Sequence, residues 1–166
     1  FTSKRVMDLF DPHPYYPTGV SMGHNISILF TPKPDLDPHI RNGLSPYRIT
    51  CVYIGDTNYH INTRATHINS LLNIPPIKPH LLCGDFNTAF DSEDRSSGRT
   101  ETSPVVTAAM NKFLNHHSLE EIHQPCHTYY SNKDDRLVTS RIDRCYVSLD
   151  AGLQAVSPPL AFIPSK

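Results

Sequence analysis

Proline divides this chain into short segments and so limits the elements that it can form. Fifteen of its 166 residues are proline, nearly twice the usual share of about 5%. Proline interrupts helices and biases the preceding residue away from the helical conformation. Residues 1–19, which contain Pro12, Pro14 and Pro17, are therefore predicted to be irregular. Further along, Thr31-Pro32-Lys33-Pro34 ends one predicted strand, and Pro75-Pro76 stops one predicted helix.

These short segments alternate between strand and helix patterns. Strand-like apolar runs occur at residues 25–30, 47–54, 80–84, 127–131 and 141–148. Helical spacing appears over residues 58–72 and again after Ser103-Pro104, which forms a typical helix start. The apolar residues of the two helices are Ile61, Ala65, Ile68 and Leu72, then Val106, Met110, Phe113 and Leu114. The alternation predicts an α/β fold in a single domain over residues 1–166.

The sequence Gly84-Asp85-Phe86-Asn87-Thr88 follows one of these apolar runs. Asp85 and Asn87 are two residues apart, so they share a face if strand geometry persists. Such a pair suits phosphate ester hydrolysis, because the carboxylate can orient or deprotonate a water, or hold a cation, while the amide donates to an oxyanion. Asp, Gly and Asn are also common turn residues. These five residues alone therefore leave a plain turn equally open.

A second acidic residue, Asp143, follows the apolar Ile142 within the strand predicted over residues 141–148. A buried carboxylate needs a partner or a function. Arg141 and Arg144 are the partners that a purely structural interpretation would use. Further upstream, Tyr53 lies near the C-terminal end of the strand predicted over residues 47–54.

Taken in order, these segments resemble the endonuclease/exonuclease/phosphatase superfamily, and in particular the apurinic-endonuclease-like domain of LINE-type (non-LTR) retrotransposons. The matching segments are Val52-Tyr53, residues 84–88, Asp94-Arg95-Ser96-Ser97, residues 127–131 and Ser140-Arg141-Ile142-Asp143. The resemblance covers roughly residues 20–148. It implies two mixed sheets packed face to face with helices outside, an α-β-β-α sandwich with the site at one end.

The resemblance also implies catalytic roles for four residues. Asp85 would activate or orient the attacking water, and Asn87 would contact the scissile phosphate. Tyr53 would contact the phosphate through its phenol. Asp143 would orient a catalytic histidine, much as the aspartate of a catalytic triad fixes its imidazole. The implied cofactor is Mg²⁺, with Mn²⁺ as an alternative, because carboxylate and amide oxygens suit hard cations; Asp85 and Asn87 would be secondary ligands.

Three further residues are implied to bind substrate. Thr128 and Ser140 match positions that contact nucleic acid or support the site, and Arg95 would form part of its wall. The adjacent Asp94-Arg95 could equally be a local ion pair, which would contribute little to stability.

Two parts of the family pattern have no match in these 166 residues. One is an N-terminal Asn followed by a metal-binding Glu. The other is a C-terminal Ser-Asp-His, which supplies a metal-contacting Asp and the catalytic His; His127 lies at the wrong place to replace it. We therefore expect an incomplete domain that lacks the first and last strands, with the unmatched motifs encoded on either side.

Composition limits the partners of the chain. A formal charge of −1 gives no overall basic signature for nucleic acid. Six cations do lie in the half that carries the motifs: Arg95, Arg99, Lys133, Arg136, Arg141 and Arg144. The cysteines lack Cys-x-x-Cys spacing and are expected to be free thiols of an intracellular protein. No membrane-spanning segment is visible, so no membrane partner is expected.

Three functions remain open. The first is a fragment of a Mg²⁺-dependent DNA endonuclease that nicks DNA to prime reverse transcription, with a reverse transcriptase region on the same polypeptide and a nuclear location. The second is another phosphodiesterase or phosphatase of the superfamily, acting on a lipid, an inositol phosphate or RNA. The third is a catalytically dead remnant. The Asp94-Arg95-Ser96-Ser97 stretch and the Ser-Arg-Ile-Asp form favour the first.

Overall fold

A six-stranded mixed sheet organises the molecule. The computed structural model describes residues 4–15, 25–55, 61–100, 103–122, 124–133 and 136–148. The strands are β1 (Phe10–Tyr15), β2 (Asn25–Pro32), β3 (Tyr47–Tyr53), β4 (His80–Asp85), β5 (Leu119–Glu121), β6 (Tyr129–Lys133), β7 (Arg136–Ser140) and β8 (Asp143–Ser148). Their order in the large sheet is β1-β2-β3-β4-β8-β5, while β6 and β7 form a separate antiparallel hairpin. The predicted α/β fold is confirmed.

Two helices cover one face of the large sheet. The helices are α1 (Lys4–Leu9), α2 (Pro38–Asn42), α3 (Ile61–Ser70) and α4 (Pro104–His117), with short 3₁₀ turns at Leu71–Asn73 and Ser92–Asp94. The strands β3 and β4 are parallel, so the chain crosses between them through α3. The helices α3 and α4 pack on each other and on a core that includes Val52, Leu82, Phe86 and Tyr146. No helix within the described ranges is long and apolar enough to cross a membrane.

The predicted core faces of both long helices are confirmed. Ala65 and Ile68 on α3 are buried, and Leu72 packs against the same core. On α4, the buried residues are Val106, Met110 and Phe113, with Leu114 partly buried against them. The predicted start of α4 is also correct, because the Ser103 hydroxyl accepts a hydrogen bond from the Val105 N–H and Pro104 opens the helix. Residues 58–60 and the side chain of Ile61 lie outside what the structure describes.

The opposite face of the sheet, which we call the open face, is apolar but less deeply buried. Register places Ile49 beside Leu81, and Cys51 beside Cys83, which is in turn beside Cys145. All five side chains are exposed or half-buried. They alternate with the core residues along each strand, as side chains of a strand must. The sheet therefore carries apolar side chains on both of its faces.

The prediction that residues 1–19 are irregular is wrong for the described part, residues 4–15, which forms α1 and β1. The strand β1 tolerates Pro12 and Pro14 because it is an edge strand. The Lys33 N–H donates to the Leu9 carbonyl, so in this register the backbone of odd-numbered residues faces β2. Pro12 and Pro14 are even-numbered, so the backbone positions at which they lack an N–H point away from β2, towards the free edge of the sheet. Proline is tolerated at such an edge.

The strand predicted over residues 141–148 starts only at Asp143, and the strand β7 before it was not predicted. The structure has β7 before Arg141 and β8 from Asp143 onwards, with Arg141 and Ile142 between the two strands. The strand predicted over residues 127–131 begins two residues later, at Tyr129. The short elements α2 and β5 carry no clear periodic pattern and were not predicted.

Buried polar groups lie between the sheet and its helices. The Ser27 and Thr50 hydroxyls are 3.0 Å apart, and Thr50 Oγ1 is 2.9 Å from His80 Nε2. The His80 ring packs edge-on against His117 of α4, with ring centroids 5.1 Å apart. Burial, reinforced by His117, lowers the pKa of His80 to about 3. Burial also lowers the pKa of His117 to about 4, so both rings are neutral near pH 7.

Candidate active site

Three predicted site residues form a row where strands of the large sheet end or begin. Tyr53, at the end of β3, pairs with Asp85, at the end of β4. Asp85 pairs in turn with Asp143, the first residue of β8. Paired residues project to the same side of a sheet. A phenol and two carboxylates therefore lie side by side on the open face, and the Tyr53 side chain is 43% exposed.

Asn87 joins this group through a turn rather than through strand alternation. The strand β4 ends at Asp85, and Asn87 adopts a left-handed conformation with φ of 48°. Its backbone N–H donates to Asp85 Oδ1 at 2.8 Å, and its side-chain Nδ2 donates to the Ile54 carbonyl at 2.7 Å. One amide hydrogen is thus used within the protein. The side-chain oxygen of Asn87 is the atom best suited to contact a cation.

Gly84 is required by the close approach of β3 to β4. A Cβ atom added at this position would lie 1.9 Å from the Val52 carbonyl oxygen, and the glycine has φ of +146°. Other residues rarely adopt such a backbone conformation. The glycine of the motif therefore brings the ends of β3 and β4 together, and with them Tyr53 and Asp85.

Arg64 was not among the site residues predicted from the sequence. It lies on the helix side of the sheet and holds the turn after β4. This α3 residue is 5% exposed. Its guanidinium donates to the Asn87 carbonyl at 2.8 Å and to the Thr88 hydroxyl. The signal was available in the sequence, because Arg64 follows Ile61 by three residues and precedes Ile68 by four, which places a cation on the buried helix face.

Thr128 fixes the position of Asp143. Its hydroxyl accepts hydrogen bonds from the Ile142 N–H at 3.2 Å and from the Asp143 N–H at 3.0 Å. These two donors lie at the break between β7 and β8. Thr128 is thus placed to support the site, one of the two roles that the resemblance implied, and its contact with nucleic acid stays a prediction.

A buried ion-pair network lies behind the row. Asp94 is fully buried and pairs with Arg141 at 2.7 Å and with Arg144. Arg144 also binds Glu121 at 2.8 Å. Asp94 and Glu121 are thus partners of the two arginines, for which a purely structural interpretation had proposed Asp143. Together they hold the loop before α4 against the start of β8.

The remaining predicted residues lie at the edge of the site. Ser140 is 2% exposed, and its hydroxyl accepts a hydrogen bond from Arg95 Nε at 3.3 Å. Their role in substrate binding stays a prediction. His127 contacts the Thr139 hydroxyl through Nδ1 and the Glu93 carbonyl, 2.9 Å away, through Nε2. Both of its ring nitrogens are engaged within the protein.

The electrostatics of the row favour a proton or a cation between the carboxylates. Burial raises the pKa of Asp85, and the negative charge of Asp143 raises it further. The hydrogen bond from Asn87 and the charge of Arg64 offset part of this effect. Two carboxylates directly opposite one another repel unless something positive lies between them. Asp85 is therefore suited to accept a proton from water or to share a cation with Asp143.

Mg²⁺ fits this pair of carboxylates in part. Mg²⁺ is usually bound through one or two carboxylates together with waters and substrate phosphate oxygens. Asp85 and Asp143 supply two such groups, and Asn87 supplies an amide oxygen. Among the described residues, no group of three or more His, Cys, Asp or Glu side chains is placed to hold a metal ion. The row can contribute to a Mg²⁺ site but does not form a complete cage.

Comparison with known proteins identifies the fold. No protein-family model matches the chain, and no curated protein matches it. A solved structure, the endonuclease domain of TRAS1, a telomere-specific non-LTR retrotransposon, matches 85% of this chain and 57% of its own length with a TM-score of 0.57 and 12% sequence identity. An endonuclease/exonuclease/phosphatase family protein from Bacteroides thetaiotaomicron matches 86% of this chain and 52% of its own length, with a TM-score of 0.39 and 17% identity.

The TRAS1 match bears directly on the fold predicted from the motifs. Its aligned region takes in most of this chain, whereas this chain spans 57% of the length of the TRAS1 domain. At 12% identity the likeness concerns the fold. The chain therefore has the fold of a non-LTR retrotransposon endonuclease domain, as its resemblance to the endonuclease/exonuclease/phosphatase superfamily predicted.

Proposed function

We propose that this chain carries the central part of an active site for phosphodiester hydrolysis. The observation that carries the proposal is the row of Tyr53, Asp85 and Asp143 across three adjacent strands, with Asn87 hydrogen-bonded to Asp85. These groups can position a phosphate, prepare a water and donate hydrogen bonds to an oxyanion. The likeness in fold to a retrotransposon endonuclease domain supports the same reaction class.

Each residue of the row has a distinct part in the proposed reaction. Asp85 accepts a proton from the attacking water, because its raised pKa makes it a stronger base than an ordinary carboxylate. Tyr53 donates a hydrogen bond to a phosphate oxygen from its exposed position. Asp143 faces Asp85 and orients the catalytic histidine that the family pattern places outside these 166 residues. Arg64 keeps Asn87 and the turn in place.

A divalent cation completes the proposed chemistry. Mg²⁺ or Mn²⁺, when bound, stabilises the negative charge that develops on the phosphate and on the leaving oxygen. Asp85, Asp143 and the Asn87 side-chain oxygen are the groups of this chain that would contribute ligands. The remaining ligands would come from the unmatched Glu and Asp of the family pattern.

The finer proposal is that the substrate is DNA and that the chain belongs to a retroelement. The endonuclease domain of TRAS1 is part of a non-LTR retrotransposon by its own title, and the Asp94-Arg95-Ser96-Ser97 stretch matches that branch. A reverse transcriptase region on the same polypeptide and a nuclear location would follow. The absence of a net positive charge over the chain implies that DNA is held by local cations such as Arg95 and Arg99.

The test is nicking of supercoiled plasmid with Mg²⁺ by the polypeptide that carries this chain together with its flanking residues. Asp85→Ala should reduce the rate by about 10²–10⁴-fold, the usual effect of losing a positioned general base. Asp35→Ala, which changes an exposed carboxylate remote from the row, is the matched control and should nick at the unchanged rate. The 166 residues alone should not nick DNA.

Circular dichroism should show the same fold in both variants, so that a loss of activity reports chemistry. Nicking by Asp85→Ala at the unchanged rate would remove this residue from the mechanism and with it the proposal. Hydrolysis of a small phosphomonoester without plasmid nicking would support the superfamily reaction and contradict the DNA substrate.

A further inference from the structure

Three free cysteines form a row across the middle of the open face. Cys51 on β3 pairs with Cys83 on β4, and Cys83 pairs with Cys145 on β8. The sulfur atoms of Cys51 and Cys83 are 3.7 Å apart, and the Cys83 and Cys145 thiols hydrogen-bond to each other. Cys51 is exposed, while Cys83 and Cys145 are partly exposed. Small oxidants can therefore reach this row.

The backbone register favours a covalent bond between Cys83 and Cys145. The Phe86 N–H donates to the Ile142 carbonyl, and the Cys145 carbonyl accepts from Ile122 on the β5 side. Bonding alternates along antiparallel strands, so Cys83 and Cys145 form a pair without backbone hydrogen bonds between them. Cα atoms in such pairs are about 4.5 Å apart, within the range of about 4.4–6.8 Å that disulfides span.

We propose that Cys83 and Cys145 form a dithiol site that a peroxide oxidises to a cross-strand disulfide. Cys51 stays reduced in this reaction, because Cys83 can join only one partner. The antiparallel pair with Cys145 brings the Cα atoms to about 4.5 Å, closer than the strand spacing of about 4.8 Å in the parallel pair with Cys51. The site is separate from the row of Tyr53, Asp85 and Asp143, although it lies on the same two central strands. The reaction is independent of phosphodiester hydrolysis.

The proposed oxidation proceeds in two balanced steps. Cys145 sulfur attacks one oxygen of hydrogen peroxide, the O–O bond breaks, and a sulfenic acid and water form. Cys83 sulfur then attacks the sulfenic sulfur, the S–O bond breaks, and a second water leaves with the thiol proton. Two thiols and one peroxide thus give one disulfide and two waters. The thiolate form of the attacking cysteine is the nucleophile, and the hydrogen bond between the Cys83 and Cys145 thiols keeps the two sulfur atoms adjacent for the second step.

The experiment treats the folded chain with one equivalent of hydrogen peroxide, alkylates the remaining thiols and maps disulfides by mass spectrometry without reduction. We expect the four thiols of the chain to fall to two, with a peptide linking Cys83 to Cys145 and a mass loss of two hydrogen atoms. Cys126 is exposed and lies outside the row, so it is the internal control and should remain alkylated. In urea, this selectivity should disappear.

Single-cysteine variants show which thiols of the row are needed for the cross-link. Cys51→Ser and Cys126→Ser should still form the cross-link, whereas Cys145→Ser and the better-packed Cys145→Ala should lose two-thiol consumption. Mapping of the unmodified chain needs no variant, so the test does not depend on how these variants fold. Oxidation of Cys126 alongside the row, a Cys51–Cys83 link, a link between two chains, or four unreacted thiols would each overturn the proposal.

Discussion

At the scale of single residues, the site joins groups that separate parts of the sequence supply. Tyr53, Asp85 and Asp143 are far apart in the chain and adjacent in the sheet. Their proximity has an energetic cost, because two carboxylates face each other on neighbouring strands. Burial and the charge of Asp143 both raise the pKa of Asp85. The folded state therefore binds a proton at Asp85 more tightly than the unfolded chain does.

The sign of this effect gives a stability prediction for Asp143→Asn. A carboxyl with a raised pKa favours folding at low pH, and this contribution is lost as pH rises through the folded-state pKa. Removing the charge of Asp143 should therefore stabilise the protein near pH 7, by about 0.2–1 kcal/mol for an opposed like-charge pair. This gain in the free energy of unfolding should shrink at acidic pH, where Asp85 is protonated. Urea unfolding of the parent and the variant near pH 7 and at acidic pH measures the difference.

Asp35→Asn is the control for that measurement, since it removes an exposed charge away from the row and should change the free energy of unfolding little. A variant Asp143→Asn that is less stable than the parent near pH 7 would contradict the prediction. It would show that the Asp143 carboxylate makes a favourable interaction that outweighs its repulsion of Asp85.

At the scale of elements, the break between β7 and β8 is the feature that most affects the site. The interruption at Arg141 and Ile142 allows Arg141 to reach Asp94, and it leaves two backbone donors, the N–H groups of Ile142 and Asp143, at the start of β8. The Thr128 hydroxyl accepts both of them. One hydroxyl thus secures the segment that presents Asp143.

Thr128→Val should destabilise the protein by about 1 kcal/mol, because it leaves two partly buried donors without an acceptor. Thr128→Ser keeps the hydroxyl and should restore most of that loss. Tyr130→Phe, which removes an exposed hydrogen bond to the His127 carbonyl, should have a smaller effect. Chemical denaturation of the three variants checks the order. Equal stability of the Val and Ser variants would mean that the hydroxyl is not what holds the break.

Local pattern predicted the elements whose residues repeat regularly, and it failed where distant parts of the chain decide the structure. The helices α3 and α4 and the strands β2, β3 and β4 follow from apolar spacing. The strand β1 could not be predicted in this way, because its prolines are tolerated only at a sheet edge, and edge position depends on the whole topology. The break after β7 likewise depends on Thr128 and Asp94.

The site was predictable to the extent that its chemistry lies in short motifs. Asp85 and Asn87 stand out in sequence because a turn follows an apolar strand. Helical spacing places Arg64 on the buried face of α3, but it does not identify the partners of Arg64 and Asp94, which are 23 and 47 residues away, at Asn87 and Arg141 respectively. The left-handed conformation of Asn87, which brings it to Asp85, could also not be predicted. Spacing alone does not distinguish such a residue from one in a continuing strand.

At the scale of the whole molecule, the buried histidines set how stability varies with pH. His80 and His117 have lowered pKa values of about 3 and about 4, against about 6.5 in an unfolded chain. The unfolded chain therefore takes up protons first as pH falls below that value. A neutral histidine pair stabilises the fold above this range, and its contribution is lost during acidification.

We expect the free energy of unfolding to fall below about pH 6.5, by at most about 1.4 kcal/mol per pH unit for each histidine. His117→Phe should remove up to half of this slope, because the ring that packs on Phe113 and His80 no longer titrates. His39→Gln, at an exposed position, is the control. Urea titrations between about pH 7 and about pH 5 give the slopes. Equal slopes for the parent and His117→Phe would exclude the pair as the cause.

The two prolines of β1 determine how copies of this molecule can associate. An incoming strand needs a regular series of donors and acceptors along a free edge, and Pro12 and Pro14 remove two donors in succession from that edge of the sheet. Growth by strand addition, which leads to fibres, is therefore interrupted at this end. Among the described residues, the apolar side chains of the open face are exposed or half-buried, so they can associate with another copy. Crowded solutions should consequently yield stacked pairs of limited size rather than filaments.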